Sequence, residues 1–525
     1  MAVGEMATEQ ESTRRRGPGR RREASTLRVW VLAFLGVFLL GAGWSLATPY
    51  DGQPDELQHV IRAYGVVDGQ INAGPANSPV RTAKSLVPEG KACFRWHLDK
   101  TGDCQAEPGS VPAEQHIKIH EGSGASGYDP SYYLYVGPVI HLWPNMTGVV
   151  LARLLTAAEM SALIASAVAV AWSSRRGRWL LGGIMVGVTP VAASLLGAVN
   201  PAGVEIAAAL AFWVCVLDLF SPDAPPRKWV AMTAAWSGAV FAVTRGFGFG
   251  WMGLAVLVCA LTINWAKIKE LWASVPVRWA VGIIGAACCL AVAWDMSAGA
   301  NYPLTANTTS KTSLPQIIIQ ELWVRIPFYL DGTARQVSYG DIPIPTVVTY
   351  VWLAGVGFFI VGGMILGNWR ERLQIAAVAV GAIAILAVSD INAVRQGMWF
   401  SQGRYALPLL VGAPMLGAAV MGRTGVLTPR VNTQALRCLA VGLLPVHLLV
   451  LAVTMVRFER GFPTNGVLAV NPFRGSWTPP AGAELPVILL CLGLLLIGWL
   501  MWRGVPEEPQ DLSDAPTRRL RTAAV

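Results

Sequence analysis

Uncharged apolar runs of about twenty residues recur along most of the chain, and each has the length a helix needs to cross a bilayer. Twelve are legible: 28–47, 149–172, 179–199, 202–220, 228–246, 248–265, 279–297, 345–367, 373–393, 404–422, 436–456 and 485–502. Polar connections separate them, most of them short, with longer ones at about 48–148, 298–344, 394–403 and 457–484. The pattern predicts an all-α polytopic membrane protein with about 12 transmembrane helices, a single multi-pass domain over 28–502 and a large first loop. The flanks, 1–27 with its TRRRGPGRRRE and 503–525, are polar and Pro-rich, which predicts disordered tails. No internal repeat is visible.

Composition agrees. Hydrophobic residues make up 53% of the 525 and charged residues only 14%, with a mean hydropathy of +0.46. An ordinary soluble domain carries about 25% charged residues. The net charge of +9 raises nucleic acid as a partner, but no basic stripe interleaved with aromatics occurs, so nucleic acid is not expected. The basic excess instead reports topology. With the N-terminus inside, 24 of the 41 Lys and Arg fall in the tails, the short loops and the adjoining run ends of the cytoplasmic side, although the other side has the longer loops. Both termini are therefore expected in the cytoplasm of a cell-membrane protein, and the long connections outside. The alternative for the first run is a signal peptide, since SLA at 45–47 has small residues at a cleavage spacing; about twenty apolar residues is long for one.

Six of the eight cysteines (Cys215, Cys259, Cys288, Cys289, Cys438, Cys491) lie in apolar runs, where small polarizable side chains pack. Cys93 and Cys104 share the first outer loop. In an oxidising exterior such a pair reads as a disulfide, the alternative being two free thiols.

Ionisable residues gather on the outer side. Directly behind the first run stands DGQPDELQHVIRAYG, residues 51–65. Asp55 follows Ala47 by eight residues, at most roughly 28 Å of chain. Leu57, Val60, Ile61, Tyr64 and Val67 recur at helical spacing, so a helix is predicted from Glu56 to Asp68. Asp55, after Pro54, would be its N-cap, with Glu56, His59 and Arg62 on the first turns. A carboxylate at that place stays ionised, as a general base must. The plainer reading is an Asp that caps a solvated helix. Arg245 lies 17 residues beyond Lys228, roughly 25 Å of helix, and Arg404 opens the tenth run in FSQGRYALP. Both are expected at the outer membrane boundary, where a charge either snorkels or serves a site.

Other polar residues carry weaker signals. His116 and His120 in HIKIH are four apart but show no third metal ligand. Asp129 and Tyr132 in YDPSYY precede the second run, where an aromatic belt is the plain reading. Asn200 and Glu205 lie near an outer span end and are expected to line a cavity. Asp218 is expected in water at the cytoplasmic end. Asp331 and Asp341 read as turn residues. Neither a Walker A motif nor a Rossmann fingerprint, a nucleophile elbow or HExxH occurs, which disfavours an ATP-driven pump and a metalloprotease.

PDELQHVIRAYGVVDGQI after the first run, YDPSYYLYVGP before the second and QGRYALP at the tenth together resemble the bacterial membrane family called domain of unknown function 2142. That family in turn is similar to the GT-C glycosyltransferases, and the resemblance covers about residues 28–500. It implies a polytopic enzyme that takes sugar from a polyprenyl-phosphate donor and passes it to a cell-envelope glycan, lipid or protein acceptor outside the membrane. Carried over, Asp55 matches the catalytic acidic position, Glu56 its neighbour and His59 the same motif. Arg404 and Tyr405 belong to QGRY, and Arg245 in VTRGFG stands where relatives have a basic residue at an outer span end. Asp129 departs from the polar residue that relatives carry there. Gln402, Asp129, Tyr132, Asn200 and Glu205 are the further candidates for substrate binding.

The chemistry fits these residue types independently. No nucleotide sugars exist outside the cell, so a transferase there needs a lipid-borne donor. An acceptor hydroxyl needs a base, which Asp55 would supply. The leaving phosphate needs cations, and arginines give forked donors with permanent charge. A divalent cation is then optional, and Asp55 and Glu56 would hold it. Two alternatives remain. A transporter or flippase of a lipid-linked or anionic precursor predicts ionisable residues at mid-membrane and broken helices, with Asp295 and Asp390 nearest. A non-catalytic envelope scaffold predicts that Asp55 and Arg404 are replaceable.

Overall fold

The computed structural model describes residues 18–74, 78–112, 116–119, 123–174, 177–222, 224–298, 312–395, 399, 401–426, 428–464 and 466–503. His120 and most of both predicted tails lie outside the described residues. The apolar runs are helices throughout, because in hydrocarbon every backbone N–H and C=O must find its partner within its own segment.

The first helix, α1 (Pro18–Ala47), begins about ten residues before the predicted span. The long loop behind it carries α2 (Glu56–Val67), an antiparallel two-stranded ribbon and α3 (Pro130–Leu142). The ribbon joins β1 (Val80–Ala83) to β2 (His116–Ile119), with Val80 opposite Ile119. Next come α4 (Met146–Ser173), α5 (Gly177–Gly187), the short α6 (Pro190–Ser194) and α7 (Pro201–Leu219). They are followed by α8 (Lys228–Thr244), α9 (Gly248–Ala260), α10 (Trp265–Ala273) and α11 (Val275–Ser297). A second loop region holds α12 (Leu314–Gln320), a π-helical turn (Glu321–Arg325) and α13 (Ile326–Gly332). The last part consists of α14 (Val347–Leu366), α15 (Trp369–Arg395), α16 (Leu407–Leu410), α17 (Gly412–Thr424), α18 (Pro429–Arg460) and α19 (Glu484–Arg503).

Among the described residues nine helical segments are long and apolar enough to cross a membrane, or ten with one bent pair. Every predicted run is helical, but three depart from a simple span. The run 179–199 is broken: residues 179–187 and 190–197 meet at 66°. Pro190 disfavours helix at Thr189, and the Thr189 side chain accepts the Ala192 N–H to start a new turn. The runs at 228–246 and 248–265 fold as the 17-residue α8 and the 13-residue α9.

The charge-poor α7 lies at the centre and is buried along its whole apolar window, whereas only 22% of the α11 window and 28% of the α19 window are buried. α1 packs against α4 and α19. Its contact with α19 depends on small residues: a Cβ on Gly493 would stand 2.5 Å from the Gly36 carbonyl oxygen. Such close backbone approach is how apolar helices gain contact where no hydrophobic driving force separates them from lipid.

The long first loop is anchored over one end of the bundle. Cys93 and Cys104 are joined. Arg457, fully buried near the end of α18, donates to the carbonyls of Phe94 (2.5 Å), Lys100 (2.6 Å) and His97 (3.0 Å). The disulfide closes a short loop over a separation of 11 residues, and such closures contribute about 3 kcal/mol. Cys104→Ser is therefore expected to make residues 93–104 much faster to proteolyse in membrane vesicles, with the transmembrane helices still protected. An unchanged cleavage rate would mean that Arg457 and the Arg95–Asp51 pair hold the loop without the disulfide.

Candidate active site

The stretch behind α1 turns sharply before it becomes α2. Asp51 and Asp55 both adopt left-handed backbone conformations, with φ of 59° and 58°. A non-glycine residue held there carries strain of about 1–3 kcal/mol, and such strain clusters at functional sites. Asp55 occupies the N-cap position of α2 as expected, yet its side chain makes no capping hydrogen bond. Asp51 does that work instead: its Oδ1 accepts the Leu57 N–H at 3.0 Å and the Tyr339 hydroxyl at 2.7 Å. Its Oδ2 accepts Arg95 Nη2 at 2.8 Å. Burial pushes the Asp51 carboxyl up to about 6, against the pull of Arg95, the Leu57 amide and Tyr339.

Asp55 is thereby released from capping. Its N–H donates to Tyr339 Oη at 3.1 Å, and its carboxylate Oδ2 accepts Arg404 Nη2 at 3.1 Å. The Asp55 side chain is 40% exposed and that of Arg404 only 6%. Arg404 Nε is buried with no hydrogen-bond partner among the described residues, so a forked donor group stands at this acid with capacity left.

The expected partner acid has another use. Glu56 is fully buried and accepts from Arg153 Nε (2.8 Å), Arg153 Nη2 (2.6 Å), the Asp51 N–H (3.1 Å) and the Val199 N–H (3.1 Å). Arg153 spends its other donors on the carbonyls of Ser45, Thr48 and Pro49. Both Glu56 oxygens are occupied, so the geometry leaves it no acid–base or metal-binding role beside Asp55. Among the described residues no group of three His, Cys, Asp or Glu side chains is arranged to hold a metal ion.

His59, one helical turn beyond Asp55, is buried with Nδ1 2.8 Å from the Tyr133 hydroxyl and its ring 5.7 Å from Tyr128. Burial pushes it down to about 3; the Asp55 charge opposes this, and Arg245 and Arg404 add to it. Burial thus favours the uncharged imidazole, within electrostatic reach of both arginines. Arg245 caps the end of α8, pairs with Glu205 Oε2 at 3.0 Å and stacks 4.9 Å from the centre of the Tyr405 ring. Arg404 approaches the same ring at 5.3 Å. Asp55, His59, Arg245, Arg404, Tyr405 and Glu205 thus converge from four separate chain segments.

The other candidates divide. Asn200 supports the site from behind: its Nδ2 donates to the Pro54 carbonyl at 2.7 Å and its Oδ1 starts α7 by accepting the Ala202 N–H. Tyr132 turns inward to Thr156 Oγ1 at 2.8 Å. Asp129 caps α3 through the Ser131 N–H. Gln402 precedes the 3₁₀ turn Gly403–Ala406 that bears Arg404, and its carbonyl accepts the Tyr405 N–H. His116 meets Tyr64 Oη. Asp218 pairs with Arg227, Asp331 with Arg335, and Asp390 with Arg325.

Gly403 is required by packing. A Cβ there would stand 2.0 Å from the Tyr329 carbonyl oxygen and 2.8 Å from the Gly332 carbonyl carbon. Gly403→Ala must push α13 away from the turn that carries Arg404, at about 1–3 kcal/mol. A lowered melting temperature in detergent is the expected result; a variant that melts with the wild type would contradict this packing.

Sequence reasoning missed Asp51, Arg95, Tyr339 and Arg153. Arg153 had a signal, since a lone arginine inside an apolar run needs a partner. Tyr339 had none, because it reaches Asp55 across 284 residues of sequence.

No curated protein matches the chain in sequence. Two solved structures of ArnT from Cupriavidus metallidurans, one apo and one bound to undecaprenyl phosphate, match at 14% identity. Each match covers 90% of this chain; it covers 76% and 78% of those chains, with TM-scores of 0.41 and 0.40. So remote a likeness assigns no activity. A family model described as predicted membrane protein (DUF2142) matches residues 38–413, well over half of the chain and every residue of the Asp55 cluster, and the protein belongs to that family.

Proposed function

We propose that this protein is a cell-membrane glycosyltransferase that moves a sugar from a polyprenyl-phosphate donor to an envelope acceptor on the outer face, with both termini in the cytoplasm. The observation that carries this reading is Asp55: strained, partly exposed, free of capping, and held by an arginine with a donor to spare.

In the reaction the acceptor hydroxyl attacks the anomeric carbon while Asp55 takes its proton. The bond between that carbon and the phosphate oxygen breaks, and the electron pair leaves with the polyprenyl phosphate. Charge grows on the phosphate as the bond lengthens, and Arg404 and Arg245 are the cations placed to stabilise it. Tyr405, stacked against both guanidiniums, fixes their orientation. Neutral His59 presents a polar edge without adding a third positive charge. Glu56 and Arg153 have a positioning role: they hold the turn between α1 and α2 in the one shape that leaves Asp55 free.

The test is an envelope-glycan and lipid-linked-sugar profile in a strain lacking the gene, complemented with wild type or Asp55→Asn at equal membrane levels. Wild type is expected to restore a missing glycan, and Asp55→Asn to leave a polyprenyl-phosphate sugar accumulated. Full restoration by Asp55→Asn would move the transporter or scaffold alternative ahead.

A further inference from the structure

A second buried polar cluster lies where the π-helical turn Glu321–Arg325 and α13 pack on the end of α15. Tyr329 Oη is 2.7 Å from Glu321 Oε1 and 2.5 Å from Asp390 Oδ2. A phenol has one proton, so it donates to one carboxyl group and must accept from the other. The donor set decides which. Asp390 also receives Arg325 Nε at 3.0 Å, Arg325 Nη2 at 2.7 Å and the Ser401 N–H at 2.5 Å, the surroundings of an ionised acid. The short contact from Tyr329 has the length of an O–H···O⁻ bond. Glu321 is only 2% exposed, and its buried Oε2 has no hydrogen-bond partner among the described residues. As an anion it would have one bare oxygen and face a hydroxyl whose proton points elsewhere, a costly arrangement. The balanced arrangement is Glu321 O–H donating to Tyr329, and Tyr329 O–H donating to Asp390.

The groups that face Glu321 are Tyr329 on α13, Asp390 on α15 and Arg325 on its own turn. Burial pushes the Glu321 carboxyl up and the Asp390 charge adds to this, while Tyr329 and Arg325 pull it down. The π-helical turn is itself a common mark of functional sites.

The chain of hydrogen bonds ends at the candidate site. Asp390 takes the Ser401 N–H, and Arg325 Nη2 donates to the Ser401 carbonyl at 2.6 Å, so both backbone groups of Ser401 are clamped three residues before Arg404. The Tyr329 carbonyl and Gly332 press on Gly403. We infer that Glu321 keeps its proton at neutral pH and is a positioning residue, orienting Tyr329 and Asp390 so that the Ser401–Arg404 segment reaches Asp55. Its bearing on catalysis rests on the transferase reading, whereas the proton and the clamp do not.

The test uses full-length wild type, Glu321→Gln and Glu321→Ala in lipid vesicles. The infrared spectrum of wild type at neutral pH is expected to contain a protonated-carboxyl C=O stretch that Glu321→Gln removes. Hydrogen exchange at the Ser401 amide is expected to be unchanged in Glu321→Gln, which keeps a donor for Tyr329, and faster in Glu321→Ala. If Glu321→Ala does not fold, the pH dependence of melting in the other two proteins decides the matter. The folded value lies above the ordinary 4.5, so stability is full below 4.5 and falls as pH rises toward the folded value. Glutamine cannot ionise and is expected to lose that fall. A wild-type spectrum without the band, equal Ser401 exchange in all three, or the same pH-dependent fall in Glu321→Gln overturns the inference. None of these readouts involves sugar transfer, so failure here is separable from failure of the proposed reaction.

Discussion

Asp55→Asn is expected to fold and insert like the wild type and to transfer sugar about 10²–10⁴-fold more slowly, the range that a positioned general base contributes. The amide matches the carboxylate in size, and its oxygen can still accept from Arg404, so the turn has no reason to rearrange. No capping bond is lost, because Asp51 and not Asp55 receives the Leu57 N–H. What disappears is the site that takes the acceptor proton. Arg404→Ala should differ: it removes a cation from the leaving phosphate, so donor affinity and rate fall together, by about 10²–10³-fold in rate if it acts as an electrostatic clamp. Proteoliposomes supplied with a polyprenyl-phosphate sugar would measure both. An Asp55→Asn enzyme with wild-type turnover would remove Asp55 from the chemistry, however suggestive its backbone.

The second large effect is on stability. Arg153→Met is expected to cost about 3–5 kcal/mol, because it strands the buried Glu56 carboxylate without its counter-charge. The carbonyls of Ser45, Thr48 and Pro49 lose donors at the same time, which adds to the penalty. The variant should accumulate poorly and melt well below the wild type. Arg153→Met combined with Glu56→Gln should recover part of the loss, since the stranded charge is gone, and the gap between the double variant and the sum of the singles measures the pairing. A single Arg153→Met variant as stable as the wild type would mean that the turn before α2 is held by something other than this pair. The two experiments together separate adjacent acids: Asp55 should matter for turnover and not for folding, whereas Glu56 should matter for folding and for turnover only through the turn it holds.

Much of this protein was legible in its sequence. The apolar runs predicted every helical segment that forms the bundle, because a chain in hydrocarbon must satisfy its backbone locally and only length and composition decide which segments qualify. The helix at 56–67 and the position of Asp55 at its head also followed from spacing, and a Cys93–Cys104 bond was one of two readings offered by their shared outer loop. So did the placing of Arg245 and Arg404 at one level with the loop acid. Even the break at Thr189–Pro190 was written in local residues, although the hydropathy of the run concealed it.

The division of labour among the acids was not legible. Asp51, Asp55 and Glu56 stand within six residues of one another and read alike as carboxylates near a helix start. Their roles came from partners delivered by distant segments: Arg95 and Tyr339 to Asp51, Arg153 and the Val199 amide to Glu56, Arg404 to Asp55. Local sequence can determine that a segment will be a helix, since its hydrogen bonds close within four residues. It cannot determine which buried charge finds which counter-charge, because burial makes an unpaired ion so costly that the pairing is settled by the whole tertiary arrangement. Periodicity placed Asp55 at the head of its helix, and only the folded chain freed it from capping and set Arg404 beside it.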